Sequence, residues 1–385
     1  MSVAPAEVVE RAVAFARSHP ELLATLLVVV AVLVGGGYLL HRLTRSAGVR
    51  FASLLSDRDD VVVLTHPNPD PDAMAAAMGV ASLAEQVDTE ATIRFPGQIR
   101  HQENRTFRNV LDVDLEPIER VDDLDSEAVI LVDHNRPRGF TGAEGVRPLA
   151  VIDHHPGDGR GDSFTDVRTE YGACSSVIAE YFRDLDATPI PPDNHESEVD
   201  ASYVVPSRVA TGLFFGVLTD TGRLTNGTIP ADFDASSYLS PGVDENLLDR
   251  IANPQVSAEV LEIKATAIEE REVSGAFAIS DVGTVSNVDA IPQAADELIR
   301  LEGVTAAIVC GIRNGTLYLS GRSRDDRVHM GRAIKAALND VPGATGGGHA
   351  RMGGGQVPID DGDFVWPARR ATLTDRLRRA LEGDV

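Results

Sequence analysis

Histidine and aspartate stand together at four separated points of the 385-residue chain. "HPNPDPD" supplies His66, Asp70 and Asp72, "VILVD" ends on Asp133, "AVIDHH" closes on Asp153, His154 and His155, and "ATGLFFGVLTD" ends on Asp220. Imidazole nitrogen mixed with carboxylate oxygen suits Mn²⁺ or a similar borderline divalent ion better than Mg²⁺ alone or a thiolate-bound zinc. Two such ions about 3.5–4 Å apart, bridged by one carboxylate, activate water and clamp phosphoryl oxygens in hydrolysis. One such motif is easily an accident in a chain this rich in aspartate. Four at matching topological positions are not.

The elements around these residues explain how they could meet. "VVVLTH" (61–66), "ATIRF" (91–95), "AVILVD" (128–133) and "LAVIDHH" (149–155) read as short strands, apolar on both faces. Helical stretches alternate with them or follow: "DAMAAAMGVASLAEQV" (72–87) with Asp72 at its N-cap, "CSSVIAEYFRDL" (174–185) and "PSRVATGLFFGVLTDTG" (206–222). The pattern predicts an α/β fold with a parallel sheet covered on both sides. Loops at the carboxyl ends of such strands converge, which brings the four motifs to one edge. From 228 to 255 the periodicity fades and proline and aspartate gather, so a linker is expected there. A second, smaller domain follows, with strands "AFAIS", "AAIVCGI" and "TLYLSGR", helices near 290–301 and 326–339, and a glycine-rich loop at 343–355.

Charge narrows the function classes. Asp and Glu number 59 against 35 Lys and Arg, a net charge of −24, and lysine occurs only as Lys264 and Lys335. That balance argues against a broad nucleic-acid groove, and any phosphate must be held by metals or a local arginine cluster. It also fits a protein kept soluble in concentrated salt, where self-repulsion is screened within a few ångströms, and so a salt-loving, haloarchaeal source. Cys174 and Cys310 are far apart and form no disulfide framework, in keeping with a reducing compartment. Leu22 to Leu40, "LLATLLVVVAVLVGGGYLL", runs 19 residues without a charge. As a helix it would span about 28 Å, the thickness of a bilayer core. His41, Arg42, Arg45 and Arg50 follow it, so the positive-inside rule places the bulk of the chain in the cytoplasm behind a single-pass anchor in the cell membrane.

With these motifs in order, the sequence resembles the DHH phosphoesterases with a C-terminal DHH-associated domain, named for the triplet that stands here as Asp153-His154-His155. "HPNPDPD", "LVDHN", "DHH" and "GVLTDTG" match the four motifs of the family's first domain. "TGGGHARMGGG" (345–355) and "SGRSR" (320–324) resemble the glycine-rich motif and arginine strand of its second. Size and motif order are most similar to the oligoribonuclease/NrnA-like group of the RecJ superfamily. The apolar run sets off an N-terminal segment (1–21), a transmembrane helix (22–40) and a linker (41–54), all outside the resemblance, which itself implies a DHH catalytic domain (55–227), a linker (228–255) and a substrate-binding domain (256–385). It implies one ion on His66, Asp70 and Asp133 and a second on Asp72, Asp133, His154 and Asp220, with Asp133 bridging. Asp153 is expected to orient His154, and His155 to sit beside the scissile phosphate. The amides of Gly346, Gly347, Gly348 and His349 are expected to cradle the substrate, with Arg322 and Arg324 available to phosphate. Pro71 and Met74 are expected to narrow the entrance near the metals.

The implied activity is Mn²⁺-dependent two-metal hydrolysis of a short nucleotide: a short oligonucleotide, cyclic di-AMP or its linear product, or 3′-phosphoadenosine 5′-phosphate. A homodimer is compatible with it and duplex nucleic acid is not an expected partner. The alternatives are a catalytically silent nucleotide-binding regulator, against which the complete ligand set counts, and a single-strand exonuclease, against which the charge counts. The salt-loving reading predicts that the folded chain, followed by circular dichroism, unfolds as salt is dialysed away. Full stability in dilute buffer would exclude that reading.

Overall fold

In the computed structural model, residues 45–194, 199–325, 327–359 and 370–382 are described. They form two compact units that divide at Asn253 and Pro254. No helix among the described residues is long and apolar enough to cross a membrane, and the candidate anchor Leu22–Leu40 lies outside them.

The first unit is built on six parallel strands: β1 (Asp60–Leu64), β2 (Glu90–Pro96), β3 (Glu116–Ile118), β4 (Val129–Val132), β5 (Ala150–Asp153) and β6 (Phe164–Val167). Their order is β3-β2-β1-β4-β5-β6, and a separate two-stranded parallel sheet pairs β7 (Thr188–Pro189) with β8 (Val204–Val205). The chain therefore builds outward from β1 in one direction, returns, and continues from β4 in the other. Val61 and Val63 of β1, Ile130 and Val132 of β4 and Ile152 of β5 point into the larger core cluster. That cluster is completed by α1 (Ala47–Ser56), α2 (Pro71–Glu85), α3 (Gln102–Val110), α4 (Cys174–Asp184) and α5 (Ser207–Asp220). Leu64, Leu131 and Val151 point the other way, where Ile118, Phe140 and Ala143 cover them. The second face is thus closed by irregular chain and two short 3-10 turns, Val121–Asp123 and Ala143–Gly145, rather than by helices.

Two stretches expected as linkers are helical. In the 41–54 stretch, α1 places Phe51 and Leu55, both fully buried, against the core, and the Asp184 carboxylate accepts the Gly48 amide at 2.9 Å. In the 228–255 stretch, α6 (Pro230–Leu239) starts with proline at its first turn, and α7 (Glu245–Ala252) is capped by Asp244, whose carboxylate accepts the amides of Asn246 and Leu247. These helices are short and bury few large residues, chiefly Leu239 and Ile251, so their apolar period is faint in the sequence.

The second unit has a mixed sheet, β13-β14-β12-β11-β10-β9. Its strands are β9 (Glu272–Ser274), β10 (Phe277–Thr284), β11 (Ala306–Arg313), β12 (Thr316–Ser323), β13 (Thr345–Gly348) and β14 (Met352–Pro358). Alternation along β11 sorts the two faces. Ala307 and Val309 pack toward α8 (Ala258–Glu269) and α9 (Ala290–Leu298), while Ile308 and Cys310 pack toward α10 (Met330–Leu338) and α11 (Arg370–Glu382). The expected glycine-rich loop is mostly strand, because Gly346, Gly347 and Gly348 pair with Gly355, Gly354 and Gly353 as an antiparallel hairpin.

If α1 belongs to the fold rather than to a tether, Phe51→Ala removes a fully buried ring from the core. Chemical denaturation should then show a loss of about 3–5 kcal/mol. A loss below about 1 kcal/mol would return α1 to the linker.

Candidate metal centre

The four motifs meet where the strand order reverses, beyond the carboxyl ends of β1, β4 and β5, the place where open α/β sheets gather ligands. After β1, His66 leads into a loop that ends at Asp70. Asp70 is the N-cap of α2, its carboxylate accepting the Ala73 amide at 3.0 Å. Asp72 therefore stands inside the helix rather than at the cap expected for it. β4 stops at Val132, and Asp133 takes the left-handed conformation, φ 60°, while its amide still donates to the Ile152 carbonyl of the neighbouring strand at 3.0 Å. That backbone is sparsely populated for a residue with a Cβ and is tolerated better by aspartate than by most. It accompanies a buried carboxylate that faces two imidazoles.

Asp133 Oδ2 lies 3.3 Å from His66 Nε2, and Oδ1 lies 3.2 Å from His154 Nε2. His66 Nε2 also faces Asp70 Oδ2 at 3.7 Å. His154 Nε2 also faces Asp220 Oδ2 at 3.4 Å and Asp72 Oδ2 at 3.8 Å. The structure thus brings all six expected ligands together. The triads His66/Asp70/Asp133 and Asp72/His154/Asp220 each hold their ligand atoms within 4.8 Å of one another. Both Asp133 oxygens and His154 Nε2 are buried without a hydrogen-bond partner. Orphaned buried acceptors of this kind cost a few kcal/mol each unless something fills the space between them, and a cation would.

The ring nitrogens that do not face the cluster are already committed. His66 Nδ1 donates to the Pro67 carbonyl at 3.0 Å and His154 Nδ1 to the Tyr171 carbonyl at 3.1 Å. A carbonyl only accepts, so each Nδ1 carries the proton and each Nε2 is the nitrogen left for a metal. Without metal, protons substitute. Burial works against the charged imidazoles, but the Asp133 and Asp70 carboxylates raise His66 to about 10, and Asp133 and Asp220 raise His154 to about 12. Burial likewise opposes ionisation of Asp133, yet His154 and His66 outweigh it and hold the carboxyl well below the usual carboxylate range. Asp72 moves the other way, pushed up by burial and by the charges of Asp220 and Asp133. These donors fit two divalent ions.

Asp72 has a second task. Its two oxygens accept the amides of Cys174 and Ser175 at 2.7 and 2.8 Å, which fastens the start of α4 to the centre. Gly216 lets α5 approach, since a Cβ there would come 2.2 Å from Ser175 Oγ and 3.0 Å from Asp72 Oδ1.

Four expectations are corrected, two in each unit. Asp153 does not touch the His154 ring. Its Oδ1 accepts the His154 and His155 amides at 2.8 and 3.0 Å and faces His155 Nδ1 at 3.0 Å, so Asp153 orients His155 and Tyr171 orients His154. Met74 is fully buried in the core and lines no entrance. In the second unit, the His349 amide donates to the Met352 carbonyl at 2.8 Å and so is not free to cradle a substrate, while the His349 side chain is exposed. Arg322 is held by Asp296 at 2.5 Å, while Arg324 is exposed. His134, beside Asp133, is buried, donates to the Val132 carbonyl at 2.9 Å and is held down to about 4 by burial. Sequence reasoning missed Tyr171, which acts through its backbone, and Asn135, whose amide donates to Asp153 Oδ2 at 2.7 Å. The "DHN" triplet at 133–135 was the one available signal for Asn135.

Metal binding should stabilise the fold, by about 2.7 kcal/mol at a hundredfold excess of Mn²⁺ over its Kd. Thermal denaturation with and without Mn²⁺ should show the gain in the unaltered chain and most of it lost in Asp133→Asn. Equal gains in both would exclude Asp133 as a ligand.

Residues 60–217 match the DHH family N-terminal domain and residues 274–380 the DHHA1 domain. The chain is 33% identical over 327 residues to Uncharacterized protein MJ1633 of Methanocaldococcus jannaschii, covering 84% of this chain and 63% of that protein. It is 27% identical over 303 residues to the cyclic-di-AMP phosphodiesterase GdpP of Geobacillus thermodenitrificans, covering 71% of this chain and 42% of that one. It therefore spans less than two thirds of the length of either relative. An exopolyphosphatase-related protein from Bacteroides fragilis shares the fold at 16% identity, with a TM-score of 0.65 over 88% of this chain and 96% of that one. Both domain matches fall on the two compact units, and the first encloses the whole of the histidine–aspartate cluster apart from Asp220: the chain belongs to the DHH family.

Proposed function

We propose that the chain is a divalent-metal-dependent phosphodiesterase acting on short nucleotides. The observation that carries this reading is the buried Asp133 carboxylate, whose two unpartnered oxygens face His66 on one side and His154 on the other. Two divalent ions on His66, Asp70, Asp133, Asp72, His154 and Asp220 would neutralise phosphoryl charge and lower the pKa of a water. The mixed nitrogen and oxygen donors favour Mn²⁺. The protein's own groups do the rest. Asp133, held by its amide to β5, fixes the separation of the two triads. His155 is half-exposed and beside the cluster, with its Nδ1 tied to Asp153, so its Nε2 is free to meet a phosphoryl or leaving-group oxygen. The Asp153 contact raises the His155 imidazole above its ordinary range despite partial burial, which favours the protonated ring. In hydrolysis a water oxygen bonds to phosphorus as the bond to the ester oxygen breaks, and His155 supplies a proton to the departing oxygen.

Similarity to the cyclic-di-AMP phosphodiesterases of Geobacillus thermodenitrificans and Listeria monocytogenes supports a signalling dinucleotide as substrate. A single-pass membrane anchor at Leu22–Leu40, with the catalytic part in the cytoplasm of a salt-loving cell, agrees with that choice. The full chain, in high salt with Mn²⁺, is to be given cyclic di-AMP, its linear dinucleotide, RNA dimers to pentamers and 3′-phosphoadenosine 5′-phosphate, with Asp133→Ala as the blank. Product chromatography should show turnover of cyclic di-AMP and its linear product, reduced at least about a thousandfold in the blank. Preference for the RNA oligomers would make the chain an oligoribonuclease, and silence on every substrate would refute the enzymatic reading.

A further inference from the structure

The peptide group joining Tyr171 to Gly172 is gripped at both ends. Its carbonyl accepts from His154 Nδ1 at 3.1 Å. Its N–H donates to both carboxylate oxygens of Asp232, at 3.3 and 3.2 Å. Asp232 comes from the first turn of α6, in the stretch that reads as a linker, and is fully buried. Its Oδ1 also accepts the Ser176 hydroxyl at 2.6 Å and its Oδ2 the Ile229 amide at 2.9 Å. Among the described residues, then, this carboxylate meets N–H and O–H donors alone. The fit around it is close, for a Cβ on Gly172 would come 2.7 Å from Asp232 Oδ2 and 2.6 Å from Thr221 Cγ2. Thr221 is the residue after Asp220, so the same packing steadies the backbone beside a second candidate ligand.

Hydrogen bonds in series polarise one another. A carboxylate on the N–H side of a peptide makes the carbonyl at its other end a stronger acceptor. That carbonyl then holds the proton on His154 Nδ1 and leaves Nε2 the more basic lone pair. In many metal centres a carboxylate touches the ligand histidine directly. Here a peptide group stands between the two.

We propose that Asp232 is a positioning residue of the metal centre, acting through the Tyr171–Gly172 peptide to orient His154 and strengthen its Nε2 as a ligand. The proposal rests on the reading of the cluster as a metal centre, not on any substrate. A role confined to capping α6 would leave metal affinity unchanged, and this separates the two.

The test is calorimetric titration of the metal-free full chain with MnCl₂. Asp232→Asn keeps the shape and removes the charge, and it should weaken one Mn²⁺ site by about tenfold while sparing the other. Ser176→Ala removes one hydrogen bond from the same carboxylate but keeps its charge, and should bind Mn²⁺ as the unaltered chain does. Mn²⁺ affinity of Asp232→Asn within about twofold of the unaltered chain, or an equal loss in Ser176→Ala, would overturn the proposal. A second measurement needs no variant. The Gly172 amide resonance of the unaltered chain should shift on titration with MgCl₂, and a resonance that stays put at saturation overturns the relay even if Asp232→Asn fails to fold. Neither experiment reads turnover. A chain that binds Mn²⁺ yet hydrolyses nothing refutes the proposed function alone, whereas one that binds no Mn²⁺ removes both.

Discussion

Four carboxylates, Asp70, Asp72, Asp133 and Asp220, are drawn to within a few ångströms of two imidazoles at the carboxyl edge of a buried sheet. Left to themselves, like charges in a low-dielectric setting repel, and burial penalises each one. The rest of the first unit is arranged to tolerate this concentration. Asp70 and Asp72 are placed at the start of α2, where the helix dipole favours negative charge. Asp72 also borrows the amides at the start of α4. Asp133 is balanced by His66 and His154. Asp220, at the C-terminal end of α5 where the dipole disfavours it, faces the His154 imidazole, and the charge that remains is left to cations.

The histidines are fixed from outside the cluster by backbone groups. Pro67 and Tyr171 carbonyls choose the tautomers of His66 and His154, and the Asp153 carboxylate, itself held by Asn135, orients the His155 ring. Backbone carbonyls cannot titrate or swing to another rotamer, so the imidazole orientation is as rigid as the loops that carry it. One of those loops is secured by α6, a helix far along the chain from the strand ends. The centre therefore depends on segments beyond the four motifs.

What could be read in the sequence and what could not divide along physical lines. His66, Asp70, Asp72, Asp133, His154 and Asp220 were legible because titratable residues at the ends of apolar runs stand out against their neighbours. The parallel sheet was legible because strands buried on both faces are nearly continuous in valine, isoleucine and leucine. α1, α6 and α7 were hidden, since a helix that buries only one or two large side chains leaves little period to detect. Asp153 was identified as a functional residue but assigned to the wrong neighbour, because His154 and His155 are adjacent in sequence and only the turn after β5 decides which ring its carboxylate meets. Tyr171 was beyond reach: its contribution is a carbonyl, which every residue owns. The glycine run at 345–355 was misread for a related reason. Glycine signals freedom, yet here it permits close approach between β13, β14 and α10, as at Gly331, where a Cβ would fall 2.3 Å from the Gly348 carbonyl.

If the chain acts on a phosphodiester as proposed, a net charge of −24 has to accommodate an anionic ligand, and the charge count at the centre suggests how. With both histidines neutral, the six ligands carry four negative charges, which two divalent ions would cancel. The centre is then neutral toward an approaching phosphate while the surface around it remains negative. Long-range attraction is weak in that arrangement, and at high salt it would be screened within a few ångströms in any case. On the proposed reading, binding would come from short-range contact of phosphoryl oxygens with the ions and with His155. Contacts of that kind are few and local, so they favour a ligand with one or two phosphates near the centre over a long strand that needs a basic track along its backbone. On the proposed reading, the same charge that makes the sequence look inhospitable to nucleic acid favours a short nucleotide.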